Sequence, residues 1–141
     1  MEMDQLYTEL ILEHNQDKRN KHELTEFTTS EHGHNPSCGD DLTLQLNVVD
    51  GIVKDAAYTG SGCAISQASA SMMIDIIKGK SVEEALRLVE VFLGMIKKEI
   101  TDESELELLE DAMALQNISN MPARVKCAVL AWHTLKEALK K

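Results

Sequence analysis

Three cysteines and one aspartate are the residues of this 141-residue chain whose types could do chemistry together. Cys38 and Asp40 lie in the stretch HNPSCGDD, Cys63 follows GSG, and Cys127 lies in VKCAVLAW. Zn²⁺ accepts thiolate and carboxylate ligands together, at about 2.0 to 2.3 Å. An odd number of cysteines leaves one over in any disulfide scheme. The set therefore indicates a metal centre or a group of reactive thiols, provided that the fold brings the residues together.

Each of these positions also has a plainer interpretation. Cys38 could be a thiol in a polar surface turn, Cys63 a small residue buried at a strand-to-helix turn, and Cys127 a core-facing helix residue. His32 and His34 are close enough to Cys38 in sequence to be alternative ligands or proton carriers, or simply parts of a polar loop. The metal-centre hypothesis thus depends on the elements that position these residues.

Residues 42–59 contain the clearest structural pattern in the chain. The stretch LTLQLNVVDGIVKDAAYT alternates apolar and polar residues from Leu42 to Val48. Asp50-Gly51 then supplies the pair that a tight β-hairpin turn favours. Apolar residues after the turn do not alternate cleanly, so a β-bulge is expected there.

The predicted hairpin would bring two of the cysteines together. Cys38 precedes the first strand and Cys63 follows the second, and a hairpin places its two outer ends side by side. Cys127 would reach the same place if the last helix packs across the open end of the hairpin. Asp40 would then complete a Cys3Asp tetrahedral set.

Helical patterns dominate the rest of the chain, and a short edge strand is expected at residues 24–29. The whole is predicted to be an α+β domain, with helices on one face of a small antiparallel sheet. The predicted helices are 3–14, 63–78 ended by Gly79, one with a capping box of Ser81 and Glu84 that runs to about Lys98, one capped by Thr101 or Asp102 that runs to about Leu115, and one that begins at Pro122.

Charge and hydropathy exclude several classes of function. The net charge is −10, which argues against nucleic acid as a partner because phosphate binding needs a basic face. Residues 81–111 are strongly acidic and residues 121–141 are basic, which suits solvated helix faces or a protein partner. No stretch is long and apolar enough to span a membrane, and the N-terminus lacks a signal-peptide pattern. The expected location is the cytoplasm.

Three stretches, NPSCGD, GSGCAISQAS and PARVKCAVLAW, resemble the three sequence blocks of the U-type iron–sulfur cluster assembly family (IscU/NifU N-terminal-like). The resemblance covers essentially residues 1–141 and implies a single domain. It implies a three-stranded antiparallel β-sheet with helices packed on one face, as in SufE/IscU-like folds. The site positions of the family carry over to four residues, which are Cys38, Asp40, Cys63 and Cys127.

Two departures point to one branch of this family. Lys126 occupies the position where the scaffold branch usually has a histidine, and the segment 64–126 is longer, with the extra helical stretch within about 80–116. Both features resemble the SufU branch of Gram-positive bacteria. That resemblance implies a tightly bound zinc ion. It also implies a pyridoxal-phosphate-dependent cysteine desulfurase of the SufS type as sulfur donor, together with other iron–sulfur assembly proteins as partners.

The hypothesis that follows is a zinc-dependent sulfurtransferase. Cys38 leaves the zinc and accepts persulfide sulfur from the desulfurase, while Arg124, one helical turn before Cys127, supports Asp40 or faces the partner. The first alternative is a scaffold on which a [2Fe–2S] cluster is assembled on the same four residues and passed on. The second is a non-catalytic binding module in which zinc only stabilises the fold.

Overall fold

The computed structural model describes residues 3–36 and 39–140 and has the order α-β-β-β followed by helices. Along the chain, the three strands precede all the helices except the N-terminal one. The elements are α1 (Met3–Gln16), β1 (Thr29–Asn35), β2 (Asp40–Val49), β3 (Ile52–Ser61), α2 (Ala64–Ile77), α3 (Val82–Ile96), α4 (Glu103–Leu106), a 3₁₀ segment (Glu107–Asn120) and α5 (Pro122–Leu139).

The three strands form one antiparallel sheet in the order β1-β2-β3, so the predicted α+β fold is confirmed. The predicted hairpin is β2 and β3. Its turn residues Asp50 and Gly51 have φ values of 53° and 77°, the left-handed pair that matches the twist of the strands. The expected bulge is also present, because the register moves from Asn47↔Asp55 to Val48↔Val53 and leaves Lys54 as an extra residue on β3.

The prediction of an edge strand at residues 24–29 is wrong, because β1 spans Thr29–Asn35 instead. This strand reads TSEHGHN, and its inward positions include Gly33 and Asn35, both buried. Apart from Thr29, this strand lacks the β-branched and aromatic residues from which strands are predicted. It forms because β2 offers a complete pairing partner from Leu46 back to Asp40.

Helix α5 lies against β1 and β2, and α2 lies against β3, so the helices cover one face of the sheet. Along β2 that face carries alternate buried residues from Asp40 to Leu46. The helices also pack on one another, as the rings of Phe92 and Trp132 show by stacking at 4.2 Å between centroids. No helix within residues 3–36 and 39–140 is long and apolar enough to cross a membrane.

The helix limits follow the capping signals of the sequence. Ser81 and Glu84 form both hydrogen bonds of the predicted capping box, and Pro122 occupies the first turn of α5. Gly79, with φ 84°, follows the end of α2 as predicted.

The segment predicted as a regular helix from 101 or 102 to about 115 is different in the structure. Asp102 does cap it, but the α-helical part ends at Leu106 and 3₁₀ geometry follows, interrupted at Glu110 with φ 50°. The physical reason lies in the spacing of the buried residues. In a 3₁₀ helix every third side chain lies on the same face, whereas an α-helix has about 3.6 residues per turn. Buried residues recur at that interval from α4 to the end of the segment, at Leu106, Leu109, Ala112, Leu115 and Ile118.

Candidate metal centre

Asp40, Cys63 and Cys127 converge at one end of the sheet. Each offers one ligand atom, and these atoms all lie within 4.8 Å of one another. The side chains of Asp40 and Cys127 are fully buried, whereas Cys63 is partly exposed. The fold therefore assembles a carboxylate and two thiols from positions that are far apart in sequence.

Three different elements supply the three side chains. Asp40 is the first residue of β2, and Cys63 lies two residues beyond the end of β3. Because Asp41 pairs with Ser61, the open end of the hairpin brings these residues together. Helix α5 crosses the same end and contributes Cys127, which belongs to the hydrophobic core. Val125 and Leu130 of the same helix pack against that core.

Hydrogen bonds hold the buried Asp40 carboxylate in position. Its Oδ1 accepts from the backbone amide of Cys63 at 2.9 Å and lies 3.1 Å from the hydroxyl of Ser66. Its Oδ2 is 3.5 Å from the side-chain amide of Asn35, across the β1–β2 pair. Hydrogen bonds to a carboxylate are stronger than those between neutral groups, so the carboxylate is oriented before any ligand binds.

Cys63 occupies the N-cap position of α2, and its Sγ accepts from the backbone amide of Ser66 at 3.5 Å. The positive end of the helix dipole thus faces the sulfur, an arrangement that stabilises negative charge on a thiolate. The hydroxyl of Ser66 also lies 3.0 Å from the Cys63 carbonyl oxygen. Ser66 consequently touches both Asp40 and Cys63, the two polar ligands at the edge of the core.

Gly62 makes this close packing of the carboxylate possible. A Cβ atom at this position would lie 2.6 Å from Oδ1 of Asp40 and 2.5 Å from Oγ of Ser66. Real Cβ atoms do not approach other atoms so closely, so any larger residue would displace the carboxylate. The glycine is required by the proximity of Asp40, rather than by its own backbone conformation.

The ligand types of this group are ones that a metal ion such as zinc accepts. Four ligands placed tetrahedrally at about 2.0 to 2.3 Å from an ion lie about 3.3 to 3.8 Å from one another. The three atoms here all lie within 4.8 Å of one another, so small side-chain movements would bring them to an ion. Buried carboxylates are normally paired with a cation or coordinate a metal. Within residues 3–36 and 39–140, no lysine or arginine forms an ion pair with Asp40. A metal cation would supply the missing positive charge.

Two further residues, Cys38 and Arg124, were predicted for this site. Cys38 lies outside the described residues, so its expected proximity to Cys63 stays a prediction. Arg124 is in the first turns of α5 with an exposed side chain, and it forms no ion pair with Asp40 in the described part of the chain. Of the two roles considered for Arg124, its exposure favours contact with a partner.

His32 and His34, considered above as alternative ligands, are on the wrong face of the sheet for this site. They are exposed and alternate with the buried residues Gly33 and Asn35. Asn35 pairs with Asp40 and shares its buried face, whereas His34 pairs with Asp41 and faces outward. The sheet thus separates both imidazoles from the buried carboxylate.

The residues that support the candidate ligands were not predicted from the sequence. Ser66 could have been found, since it is three residues after the N-cap Cys63, the position whose amide bonds an N-cap side chain. Gly62 immediately precedes the candidate ligand Cys63, in the GSG stretch before a predicted strand-to-helix turn. Asn35 carried no signal, because its contact with Asp40 depends on the β1–β2 register.

Comparison with known proteins gives consistent matches over nearly the whole chain. A family model described as the NifU-like N terminal domain matches residues 6–141. The chain is 48% identical to the iron–sulfur cluster assembly scaffold protein IscU of Thermotoga maritima, over 96% of this chain and 94% of that protein. It is 41% identical to the zinc-dependent sulfurtransferase SufU of Bacillus subtilis, over 99% and 92%. The crystal structure of FiSufU from Fervidobacterium islandicum superimposes with a TM-score of 0.88 at 35% identity, covering 96% and 97%.

Proposed function

Because this chain belongs to the NifU-like N-terminal domain family of iron–sulfur cluster assembly, we propose that it is a zinc-dependent sulfurtransferase of that process. Cys38, Asp40, Cys63 and Cys127 are the proposed zinc ligands. The sulfur comes from a pyridoxal-phosphate-dependent cysteine desulfurase of the SufS type. Residues 1–141 act as one domain, with the extra helical stretch within about 80–116, and the proposed setting is the cytoplasm.

The convergence of Asp40, Cys63 and Cys127 within 4.8 Å is the observation that carries this proposal. A mixed thiolate and carboxylate set at this spacing suits zinc. The 41% identity to a relative named as a zinc-dependent sulfurtransferase agrees with this chemistry. Lys126, in place of the histidine usual in the scaffold branch, supports the same choice.

Bound zinc would keep the cysteine thiols deprotonated near neutral pH and would tie β2, α2 and α5 together. The chain's own residues prepare the site for this. Ser66 and the Cys63 amide orient the Asp40 carboxylate, and the N-terminus of α2 stabilises charge on the Cys63 sulfur. Burial of Asp40 and Cys127 excludes water from the inner side of the site.

Cys38 is the proposed sulfur acceptor among the three cysteines. Cys127 is fully buried and Cys63 caps α2, so neither is free to meet a partner's reactive group. In the sequence, Cys38 lies between Asn35, the last residue of β1, and Asp40, the first residue of β2. A ligand in a connection between two strands is released with less disturbance of the fold than one on a helix.

The transfer step is a nucleophilic displacement at sulfur. The Cys38 thiolate attacks the outer sulfur of the desulfurase persulfide, and a new S–S bond forms as the bond between the two desulfurase sulfurs breaks. The electron pair of that broken bond leaves with the desulfurase cysteine as a thiolate. Cys38 ends as a persulfide, so the step needs no external oxidant or reductant.

A scaffold function is the second candidate, favoured by the 48% identity to a protein named as an iron–sulfur cluster assembly scaffold. A [2Fe–2S] cluster would be assembled on Cys38, Asp40, Cys63 and Cys127 and then passed on as cargo. Thiolates are the usual ligands of such clusters. The same four residues serve both functions, so the distinction has to come from the chemistry of the purified protein.

A combined metal and transfer assay tests the proposal. Zinc is quantified in the purified protein, and cysteine turnover by a SufS-type desulfurase is followed with wild type, Cys38→Ser and Ser37→Ala. Ser37 is the neighbour of Cys38 and makes a matched control. We expect stoichiometric zinc, stimulation by wild type and Ser37→Ala, and none by Cys38→Ser. Peptide mapping should find one additional sulfur atom on Cys38 after turnover.

The opposite result is equally clear. Little zinc, iron uptake with visible colour on reconstitution and no stimulation of turnover would establish the scaffold function. Stimulation retained in Cys38→Ser, with lower thermal stability only, would show that the centre is structural. Circular dichroism of the variants separates a lost acceptor from a lost fold.

A further inference from the structure

A second cluster of metal-ligating side chains lies on the outer face of the sheet. It consists of His32 and His34 on β1 and Asp41 on β2, and all three are exposed. We refer to it as the outer cluster. The metal centre proposed above does not use any of these side chains, because the strands point them to the opposite face from Asp40.

The outer cluster contains one direct contact and one ring pair. Nε2 of His32 lies 2.6 Å from Oδ1 of Asp41, and the two imidazole rings stack with centroids 6.2 Å apart at an angle of 19°. Asp41 is the direct cross-strand partner of His34. All three side chains thus emerge from adjacent positions of a rigid β-ladder, which limits the space they can occupy.

We propose that the outer cluster binds a divalent first-row transition-metal ion through His32, His34 and Asp41. Two residues at i and i+2 on a strand lie about 6.6 Å apart on one face, and directly paired residues have Cβ atoms about 5 Å apart. Ligand bonds of about 2.0 to 2.2 Å to an imidazole or a carboxylate allow one ion to reach all three side chains. Rotation of the exposed His34 ring out of the stack completes the set.

Ligand type makes this site different in kind from the buried one. Two imidazoles and a carboxylate suit zinc, copper, iron and nickel, while thiolates select zinc and iron–sulfur clusters. The side chains of His32 and Asp41 are 57% and 55% exposed, so the ion would keep water ligands and exchange readily. The site is accessory, and its existence does not rest on the proposed sulfur-transfer function.

The position of the outer cluster gives binding a structural consequence. The pair His34↔Asp41 is next to the last ladder pair, Asn35↔Asp40, before the connection between β1 and β2. That connection carries Cys38 in the sequence. An ion held by His34 and Asp41 would tie the two strands at the base of this connection, and would therefore also raise the thermal stability of the protein.

Titration of the zinc-loaded full-length protein with Ni²⁺ tests the proposal. We expect one equivalent of Ni²⁺ to bind by calorimetry, with no release of zinc to a chromogenic chelator. Thiolate-to-nickel charge-transfer absorption should be absent, because the ligands are nitrogen and oxygen. Paramagnetic broadening in NMR spectra should be strongest for the ring protons of His32 and His34.

Variants of the exposed histidines identify the ligands. His32→Ala and His34→Ala should each weaken Ni²⁺ binding by at least roughly tenfold, and both should keep their zinc and their fold. His22→Ala is the matched control, since His22 is also exposed and its ring contacts the Glu23 carbonyl. The absence of Ni²⁺ binding beyond the zinc site would overturn the proposal. So would binding that His34→Ala leaves unchanged, because His32 and Asp41 would then form an ordinary surface ion pair.

Discussion

The hydroxyl of Ser66 lies 3.1 Å from Oδ1 of Asp40, joining the first turn of α2 to the first residue of β2. The same residue offers its amide to Sγ of Cys63. One residue therefore orients the Asp40 carboxylate through its hydroxyl and contacts the Cys63 sulfur through its backbone amide, and both groups belong to the candidate metal centre. Loss of residues that hold ligands in this way typically weakens metal binding by about 10- to 100-fold.

Replacement of Ser66 by alanine should lower zinc affinity by about 10- to 100-fold. The Asp40 carboxylate loses a hydrogen bond and is less well oriented, while the Cys63 sulfur keeps its hydrogen bond from the amide of residue 66. Competition with a chromogenic chelator measures the change.

Ser69→Ala provides the contrast for this prediction. Ser69 is also buried on α2, but its hydroxyl bonds the Ala128 carbonyl and accepts from Trp132. Its loss should reduce the free energy of unfolding by about 1 to 3 kcal/mol without changing zinc affinity. Equal zinc affinities in Ser66→Ala and Ser69→Ala would contradict the role assigned to Ser66.

Gly62→Ala should also weaken zinc binding, by at least about tenfold. The added Cβ would be 2.6 Å from Oδ1 of Asp40, so the carboxylate has to turn away from its bonds with Cys63 and Ser66. The exposed neighbour Ser61 makes a control, since Ser61→Ala removes only a surface hydroxyl. If Gly62→Ala retained wild-type affinity in the chelator assay, the carboxylate would not depend on this close packing.

Arg124→Glu should reduce stimulation of the desulfurase while leaving zinc content unchanged. Arg124 is exposed at the start of α5, the helix that carries Cys127, so it is placed to meet a partner docked at the metal centre. Loss of one exposed ionic contact corresponds to about 1 kcal/mol, or a roughly fivefold higher concentration for half-maximal stimulation.

The control for this prediction is the same charge change at the other end of the hairpin. Lys54 is exposed on the bulge of β3, close to the turn at Asp50-Gly51 and far along the strand from Ser61. Lys54→Glu should leave stimulation unchanged. Equal losses in the two variants would indicate an effect of net charge, and a fall in zinc content of Arg124→Glu would indicate a structural role.

Ionisation of Tyr58 should lower the free energy of unfolding at alkaline pH. Burial of its side chain raises the pKa of the phenol from 10.0 to about 12. The unfolded chain releases the phenolic proton at lower pH than the folded protein, so the contribution of Tyr58 to stability is present below pH 10 and is lost between about pH 10 and 12.

Comparison of wild type with Tyr58→Phe isolates this contribution. Urea unfolding is measured at pH 9 and at several values above 10, where lysines titrate equally in both proteins. The free energy of unfolding of wild type should fall more steeply than that of Tyr58→Phe. Parallel curves would mean that Tyr58 ionises as easily in the folded protein as in the unfolded chain.

Elements with strong local signals were predictable from the sequence. The hairpin turn at Asp50-Gly51, the capping box of Ser81 and Glu84 and the start of α5 at Pro122 each depend on interactions within a few residues. The strand β1 could not be predicted in this way, because its residues form a strand only by pairing with β2. The 3₁₀ segment was misjudged as a regular helix, since apolar residues at every third position fit both periods over a short distance.

The candidate site divides in the same way. Residue types alone indicated a thiolate and carboxylate centre, and hairpin topology predicted that the ends of β2 and β3 would meet. The structure brings Asp40 and Cys63 together, and it also brings in Cys127, as expected if the last helix packs across the open end of the hairpin. The contributions of Ser66 and Asn35 became visible only with the positions of α2 and β1.

By itself, the sequence determined which ligand types are present, their order along the chain and the hairpin that joins two of them. Tertiary structure decided which of two adjacent aspartates faces inward and which histidines are excluded from the buried site. The physical reason is the pleat of a β-strand, in which a shift of one residue in register moves every side chain to the other face. That register is set by pairing along β1, β2 and β3 and by the helices packed on them, so Asp40 meets two cysteines while Asp41 meets two histidines.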